Sequence, residues 1–189
     1  MTIPAIIENS LHQQGIAYQL VEGGTRPMHR LRATAHLPRE QVAVMVLLGD
    51  SMGRQQVLLP ADSMIDLTRL CELQGRNLQA LPPEDLRRLA QKHGVDSLAA
   101  LPILSDVTLV VDERLVQQEC VYLEVPGSEC CLALSQPEFR KLVQQGKVMS
   151  FTVPVHQLQD HEGDDKAAVQ QAVQNFTTLR IKQRLEQTL

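Results

Sequence analysis

Two apolar runs joined by a short polar turn restrict the fold of this chain more than any other feature. Residues 41–48 and 55–59 are rich in Val, Leu and Met, and the segment Gly49–Gly53 between them contains two glycines and an aspartate. Apolar runs of this length around a glycine-containing turn are typical of a β-hairpin. We therefore predict that Val44 lies on a strand paired with residues 55–59.

Further strand and helix signals alternate along the chain. Strand-like runs cover residues 16–21, 107–111, 119–125, 130–134 and, more weakly, 149–155. Helix start and stop signals bracket four segments: Thr2 to Gly15, Asp62 or Ser63 to Gly75, Pro82 to Gly94, and Ser135 to Gly146. Helices interspersed with strands and hairpins predict an α/β fold with a mixed sheet.

Several polar residues have local structural interpretations. Asp62 is predicted to be the N-cap of the second helix, and a contact to a substrate amine is the functional alternative. Ser135 and Glu138 have the spacing of a capping box. Asp112 follows an apolar run, so we interpret it as a turn residue at the end of a strand.

Composition indicates a globular domain with a possible appendage. The chain has 189 residues, of which 43% are hydrophobic and 21% charged, and its net charge of -4 argues against a wholly basic nucleic-acid binder. No apolar run is long enough to span a bilayer, and the N-terminus lacks the features of a signal peptide. We therefore expect a cytoplasmic location and no membrane partner.

Cysteine and histidine spacing does not suggest a metal site. The four cysteines form no CxxC pair, so we interpret them as reduced core residues. His93, His156 and His161 lack the spacing that metal ligands show on one helix or strand pair. We expect no metal and no other cofactor.

The chain changes character near residue 155. We divide it into a domain over residues 1–155 and a segment over residues 156–189 that contains a polar linker and an amphipathic C-terminal helix. Within that helix the apolar positions are Val169, Ala172, Val173 and Phe176. The helix can pack on its own domain, lead into a partner or further domain, or form a homodimer with a second chain.

A basic stretch lies before the first apolar run. Between Gly23 and Arg39 no acidic residue interrupts a series of arginines and histidines, and the arginines are Arg26, Arg30, Arg32 and Arg39. Such a stretch can bind an RNA backbone electrostatically. The alternative is a solvated loop with a short helix, and the stretch contains no aromatic residue for base stacking.

The segments 41–48, 57–67, 94–102 and 107–113 resemble, in order and spacing, the YbaK/ProX/EbsC family of trans-acting editing domains. Such domains are also inserted in bacterial prolyl-tRNA synthetases. The resemblance implies a compact α/β domain with helices around a curved mixed sheet. It also implies hydrolysis of the ester that joins a wrong amino acid to tRNA, with tRNA rather than DNA as the partner.

The resemblance assigns site residues by position. In the family, the strand that matches residues 41–48 carries a lysine, usually followed by Thr or Ser; here Val44 and Met45 occupy these positions. A valine supplies neither charge nor hydrogen bond, so we predict weak or absent hydrolysis. A substrate-positioning loop is matched by the segment from Gly94 to Pro102, which includes Ala100 but no internal glycine, and Asp62 completes the implied substrate site.

A second function class follows from the same observations. A domain without the family lysine can act as a catalytically inactive regulatory or interaction module. The C-terminal residues 179–189 resemble the lead-in to an HDOD-type signalling domain, which follows a YbaK-like domain in some bacterial proteins. On this interpretation the chain is the N-terminal part of a longer signalling protein.

Overall fold

Helices and strands alternate along the residues that the computed structural model describes, which are 3–22, 37–92, 107–125 and 130–159. In chain order the elements are α1 (Ala5–Gln13), β1 (Gln19–Glu22), β2 (Val42–Asp50), β3 (Gly53–Pro60), β4 (Ser63–Ile65), α2 (Leu67–Gln74), β5 (Gln79–Ala80), α3 (Pro83–Lys92), β6 (Thr108–Asp112), α4 (Glu113–Val116), β7 (Cys120–Glu124), β8 (Cys130–Ser135), α5 (Gln136–Leu142), β9 (Lys147–Met149), β10 (Thr152–Pro154) and α6 (Val155–Gln159).

The large sheet is mixed, as the sequence predicted. Its strand order is β1-β8-β7-β2-β3-β6-β9, with β5 beside β2 as well. The pairs β2–β7, β3–β6 and β6–β9 are parallel, and the remaining pairs are antiparallel. β4 and β10 form a separate two-stranded antiparallel sheet. The α/β class is therefore confirmed.

The predicted hairpin is also confirmed, with a tighter turn. β2 and β3 pair antiparallel, and Val44 lies opposite Leu59. The strands extend to Asp50 and Gly53, so only two residues remain between them. Gly53 has a φ of +132°, which L-residues with a side chain rarely adopt, so the turn depends on this glycine.

Side chains alternate between two faces of the sheet, and different helices cover each face. The first, which we call the α1 face, packs against Ile7 of α1, Leu115 of α4 and Phe139 of α5. The second, the α2 face, packs against Leu70 of α2 and against Phe151. All five side chains are fully buried, so both faces of the sheet contribute to the core.

The predicted helix from Asp62 to Gly75 begins later than expected. A short strand, β4, occupies Ser63–Ile65, and α2 begins at Leu67 with Asp66 as its N-cap. The Asp66 carboxylate accepts a hydrogen bond of 2.9 Å from the Arg69 backbone N–H. The N-cap assignment of Asp62 was therefore wrong, because β4 pairs with the distant β10 and delays the helix.

Two further local predictions need correction. Ser135 is the N-cap of α5 but its side chain makes no capping bond, and Glu138 instead accepts hydrogen bonds from the Ala17 backbone N–H and from Lys141. The capping box is therefore not formed. The weak strand prediction over residues 149–155 resolves into β9 and β10, which belong to different sheets.

Some predictions fall outside the described residues: the end of the third helix at Gly94, the linker beyond α6, and the C-terminal helix with Val169, Ala172, Val173 and Phe176. Among the described residues, no helix is long and apolar enough to cross a membrane, and no cluster of side chains could hold a metal ion. The four cysteines carry free thiols; Cys130 and Cys131 are buried, as predicted for core residues, whereas Cys71 and Cys120 are only partly buried.

Candidate functional site

The large sheet splits beside the middle of β2. On one edge of this strand, β7 pairs only with Val42 and Ala43, and β5 pairs only with Leu48 and Gly49. Among the described residues, no strand pairs with that edge between these two contacts. Within the described part of the sheet, Val44–Val46 therefore border an opening.

Side-chain exposure follows the same pattern. Val44, Met45 and Val46 are partly exposed, whereas the residues that precede and follow them on the strand are buried. A central strand would ordinarily be buried throughout, so the exposure marks the opening. The sequence analysis matched Val44 to the lysine of the family. If that match is right, the lysine position lies at an accessible break in the sheet.

Backbone groups also face this opening. The carbonyl oxygens of Gln41 and Leu47 both accept hydrogen bonds across this edge of β2, from Tyr122 at 2.9 Å and from Leu81 at 3.1 Å. Backbone direction repeats every second residue along a strand, so the peptide groups of Met45 point toward the same edge. The opening is thus lined by backbone donors and acceptors as well as by side chains.

The side chains around Val44 are apolar. Val44 and Val46 pack on the α2 face together with Leu59, which lies opposite Val44 on β3. Met45 points to the α1 face and packs against buried hydrophobic residues there. Val44 itself supplies neither charge nor hydrogen bond, so polar groups at the opening can come only from the backbone or from neighbouring elements.

A network of charged residues lies just beyond the end of β3. Arg114 donates two hydrogen bonds to the Asp62 carboxylate, at 2.8 and 3.2 Å, and a third to the Ser63 hydroxyl. Ser63 in turn donates to Asp62 at 2.7 Å. Burial raises the pKa of Asp62, but the hydrogen bonds from Arg114 and Ser63 outweigh it and hold the pKa below its usual value. A substrate amine would have to displace one of these donors.

The buried carboxylate of Asp112 anchors this network. It accepts hydrogen bonds from the backbone N–H groups of Arg114, at 3.0 Å, and of Phe151, at 3.2 Å. The first bond caps α4 and the second holds the connection between β9 and β10. Asp112 is therefore a structural residue at the end of a strand, as predicted from the sequence.

Arg39 is the described member of the predicted RNA-binding arginines. Its guanidinium donates a 2.9 Å hydrogen bond to the Ala61 carbonyl, beside the network around Asp62, and its side chain is exposed. A guanidinium carries five N–H donors, so this one bond does not exhaust its capacity for a phosphate. Arg26, Arg30 and Arg32 lie outside the described residues, as do Gly94, Ala100 and Pro102.

The sequence analysis missed the residues that β7 contributes. Tyr122 pairs in register with Val42, and alternation places Cys120, Tyr122 and Glu124 on the same α2 face as Val44. Burial raises the pKa of Tyr122, and a hydrogen bond with Cys120 raises it further. Alternation within residues 119–125 could have separated the two faces of this strand, but no local signal indicates which strand it joins.

Two surface cavities lie away from Val44. One, of about 410 Å³, borders the hairpin turn and includes Asp50 and Arg76, whose side chains form a largely buried ion pair. The other, of about 360 Å³, lies on the wing formed by β1, β8 and β7 and is lined in part by Cys120, Ala133 and Glu138. Neither cavity includes Val44, although the second lies next to Tyr122 on β7.

Comparison with known proteins identifies the family. The chain matches the model of the aminoacyl-tRNA editing domain over residues 23–142, which is well over half of its length. The chain is thus an editing-type domain, and it belongs to the YbaK/ProX-type aminoacyl-tRNA editing domain family. No curated protein sequence matches the chain significantly.

Solved structures share the fold. A candidate signal transduction protein from Marinobacter aquaeolei VT8 is 26% identical, with a TM-score of 0.68 over 80% of this chain and only 31% of its own. This chain therefore spans about a third of that protein. A candidate trans-editing enzyme for prolyl-tRNA synthetase is 17% identical, with a TM-score of 0.64 over 79% of this chain and 96% of its own.

Proposed function

We propose that this domain binds the aminoacyl end of tRNA at the opening beside Val44 and hydrolyses the ester weakly or not at all. The observation that carries the proposal is the combination of an accessible opening with an apolar side chain at the family lysine position. Shape and backbone groups remain available for binding, while the charge is missing. Arg39, together with Arg26, Arg30 and Arg32, would contact the RNA backbone.

The chemistry explains why binding and hydrolysis separate. An aminoacyl ester is already activated, so a positioned water and a stabilised oxyanion can suffice for its hydrolysis. Losing one group that stabilises the developing oxyanion typically lowers the rate by about 10²- to 10³-fold. Contacts made equally in the ground state and transition state are unaffected by such a loss.

The test is to restore the lysine. Turnover of alanyl-, cysteinyl- and prolyl-tRNA is compared for the full chain, the Val44→Lys variant and a lysine-containing relative. We expect Val44→Lys to raise the hydrolysis of at least one substrate by about 100-fold. Val46→Lys is the matched control, because Val46 lies on the same strand and face and is also partly exposed.

Two outcomes would contradict the proposal. If the natural chain hydrolyses the ester as fast as the lysine-containing relative, another group replaces the lysine. Arg39 is a candidate for that group among the described residues. Failure of the natural chain to bind aminoacyl-tRNA would remove the binding function altogether. Arg39→Gln separates these cases, because it should reduce RNA affinity and its salt dependence without changing an intrinsic rate at saturation.

A regulatory module is the second candidate function. The observation that favours it is the similarity, at 26% identity, to part of a longer chain described as a candidate signal transduction protein. On this proposal the domain senses aminoacyl-tRNA without consuming it and passes the signal to a following segment. Light scattering of the full chain and of a version ending at His156 tests whether residues 157–189 form a dimer; two monomers would exclude that route.

A further inference from the structure

Aromatic side chains are scarce in this chain, and one of them is placed where a nucleotide would need it. The chain has two tyrosines, three phenylalanines and no tryptophan. Among the described aromatic residues, Phe139 and Phe151 are fully buried. Tyr18 is partly exposed at the cavity of about 360 Å³, and it packs against the core of the α1 face, the face opposite to Val44. Tyr122 is partly exposed on the α2 face, the face to which Val44 also points.

The position of Tyr122 relative to Val44 follows from the strand register. Tyr122 lies opposite Val42 on the neighbouring parallel strand, and Val44 is the next residue of β2 on the same face. With a strand spacing of about 4.8 Å and a rise of about 3.3 Å per residue, the two Cα atoms are roughly 8 Å apart. This separation suits a terminal nucleoside, whose base and esterified ribose hydroxyl lie at opposite sides of the sugar.

The surroundings of Tyr122 favour a base over a phosphate. Cys120 is the preceding residue on the same face of β7, and burial, followed by a hydrogen bond with Cys120, raises the pKa of the Tyr122 hydroxyl. The cavity of about 360 Å³ on the same wing does not include Tyr122 in its lining, but it includes Ala133, which pairs with Tyr122 in the sheet, and the carboxylates of Glu119 and Glu138. These carboxylates repel a phosphate but not a neutral base, and base–aromatic stacking tolerates any base.

From this arrangement we infer that Tyr122 is the stacking platform for the terminal base of the tRNA acceptor end, which places the aminoacyl ester at the opening beside Val44. The inference rests on the proposed binding of aminoacyl-tRNA and adds the residue that positions the nucleotide. Tyr122 acts through its ring, so its hydroxyl is dispensable. Arg39 and the other arginines contact phosphates, whereas Tyr122 contacts one base.

The experiment measures binding of two RNA minihelices without an attached amino acid to the full chain. One minihelix ends in CCA, and the other lacks the terminal adenosine. Stacking on an aromatic side chain typically changes affinity by about 5- to 150-fold per base. We expect the natural chain to prefer the CCA minihelix by a factor in this range. Tyr122→Leu should abolish the preference without weakening binding of the shorter minihelix, and Tyr122→Phe should retain it.

A fluorescent variant provides an independent readout, because the chain has no tryptophan. The sole tryptophan in Tyr122→Trp should be quenched by the CCA minihelix and not by the shorter one. Leu20→Trp is the control: Leu20 is 39% exposed, and alternation places it on the α1 face of the same wing. Its fluorescence should respond equally to both RNAs.

The outcomes separate the two hypotheses. If the natural chain binds neither minihelix nor aminoacyl-tRNA, the proposed function fails and this inference fails with it. If RNA binds but Tyr122→Leu weakens both minihelices equally, or neither, the function stands and the stacking role is wrong. Loss of the preference in Tyr122→Phe would also overturn it, because the contact would then depend on the hydroxyl.

Discussion

The ends of the β2–β3 hairpin are held by charge, and its middle is not. At the turn, Asp50 pairs with Arg76, and just beyond the other end Asp62 pairs with Arg114. The middle residues, Val44–Val46, are partly exposed and carry no ionisable group. The position that the sequence analysis matched to the family lysine therefore lies in the uncharged part of an otherwise ion-paired hairpin.

This contrast separates the shape of the site from its chemistry. The opening arises from the way in which β7 and β5 share one edge of β2, and no feature of that pairing requires a lysine at position 44. A single side chain can thus remove the charge without closing the opening. Substitutions of the partly exposed side chains in the middle should therefore change stability little, whereas substitutions of buried residues or of the ion-paired residues at the ends should affect folding.

The largest effect is expected where the middle of the hairpin meets the core. Leu59 lies opposite Val44 but is fully buried, so Leu59→Lys would place an unpaired charge in the core. We expect a loss of more than about 3 kcal/mol in the free energy of unfolding, measured by urea denaturation. Leu59→Met is the conservative control. If Leu59→Lys lowers the free energy of unfolding only slightly, this side of the hairpin is also open to water.

A smaller but still large loss of stability is expected at the end of the hairpin beyond β3, where Asp112 supports the ion pair of Asp62 and Arg114. Asp112→Ala would leave two backbone N–H groups without their acceptor, the partly buried one of Arg114 and the buried one of Phe151. We expect unfolding to require about 2–4 kcal/mol less free energy. Asp112→Asn keeps one acceptor oxygen and should cost less. Equal losses for both variants would show that the charge, rather than the hydrogen bonds, stabilises this end.

The parts of the fold that depend on neighbouring residues were predictable. The hairpin was visible because two apolar runs flank a glycine-containing turn, and the pairing of Val44 with residues 55–59 followed directly. The start of α2 was not, because Ser63–Ile65 forms a strand only by pairing with β10, far along the chain. Local cap signals therefore selected Asp62, whereas long-range pairing made Asp66 the cap.

The candidate site divides in the same way. Val44 was predicted as a site residue through the resemblance to the family, and this stays a prediction; its exposure depends on two strands that are distant in sequence. Tyr122 carries no local signal, because only the parallel pairing of β7 with β2 brings it beside the opening. Alternation predicts which residues share a face of one strand, and it does not predict which strands are neighbours.

The pH dependence of folding should distinguish the charged end at the turn. Hydrogen bonding from Arg76 lowers the pKa of Asp50 from 3.8 to about 2. A lowered folded-state pKa stabilises the fold above about pH 3.8, and this contribution is lost as the pH falls toward 2. The urea midpoint should therefore drop less between pH 6 and pH 3 in Asp50→Asn than in the natural chain. Asp85→Asn, which also removes one carboxylate but from a longer and more exposed contact of 3.8 Å with Arg54, is the matched control.

The smallest effect on stability is expected in the middle of the hairpin. Val44 is partly exposed beside the opening, so a lysine there can lay its methylene chain along Val46 and keep its ammonium in water. We expect Val44→Lys to change the free energy of unfolding by no more than about 1 kcal/mol, in contrast to lysine at the opposing Leu59. Urea denaturation of Val44→Lys and Leu59→Lys under the same conditions compares the paired positions on β2 and β3. If Val44→Lys is as destabilising as Leu59→Lys, position 44 belongs to the core, and the opening cannot admit the end of a tRNA.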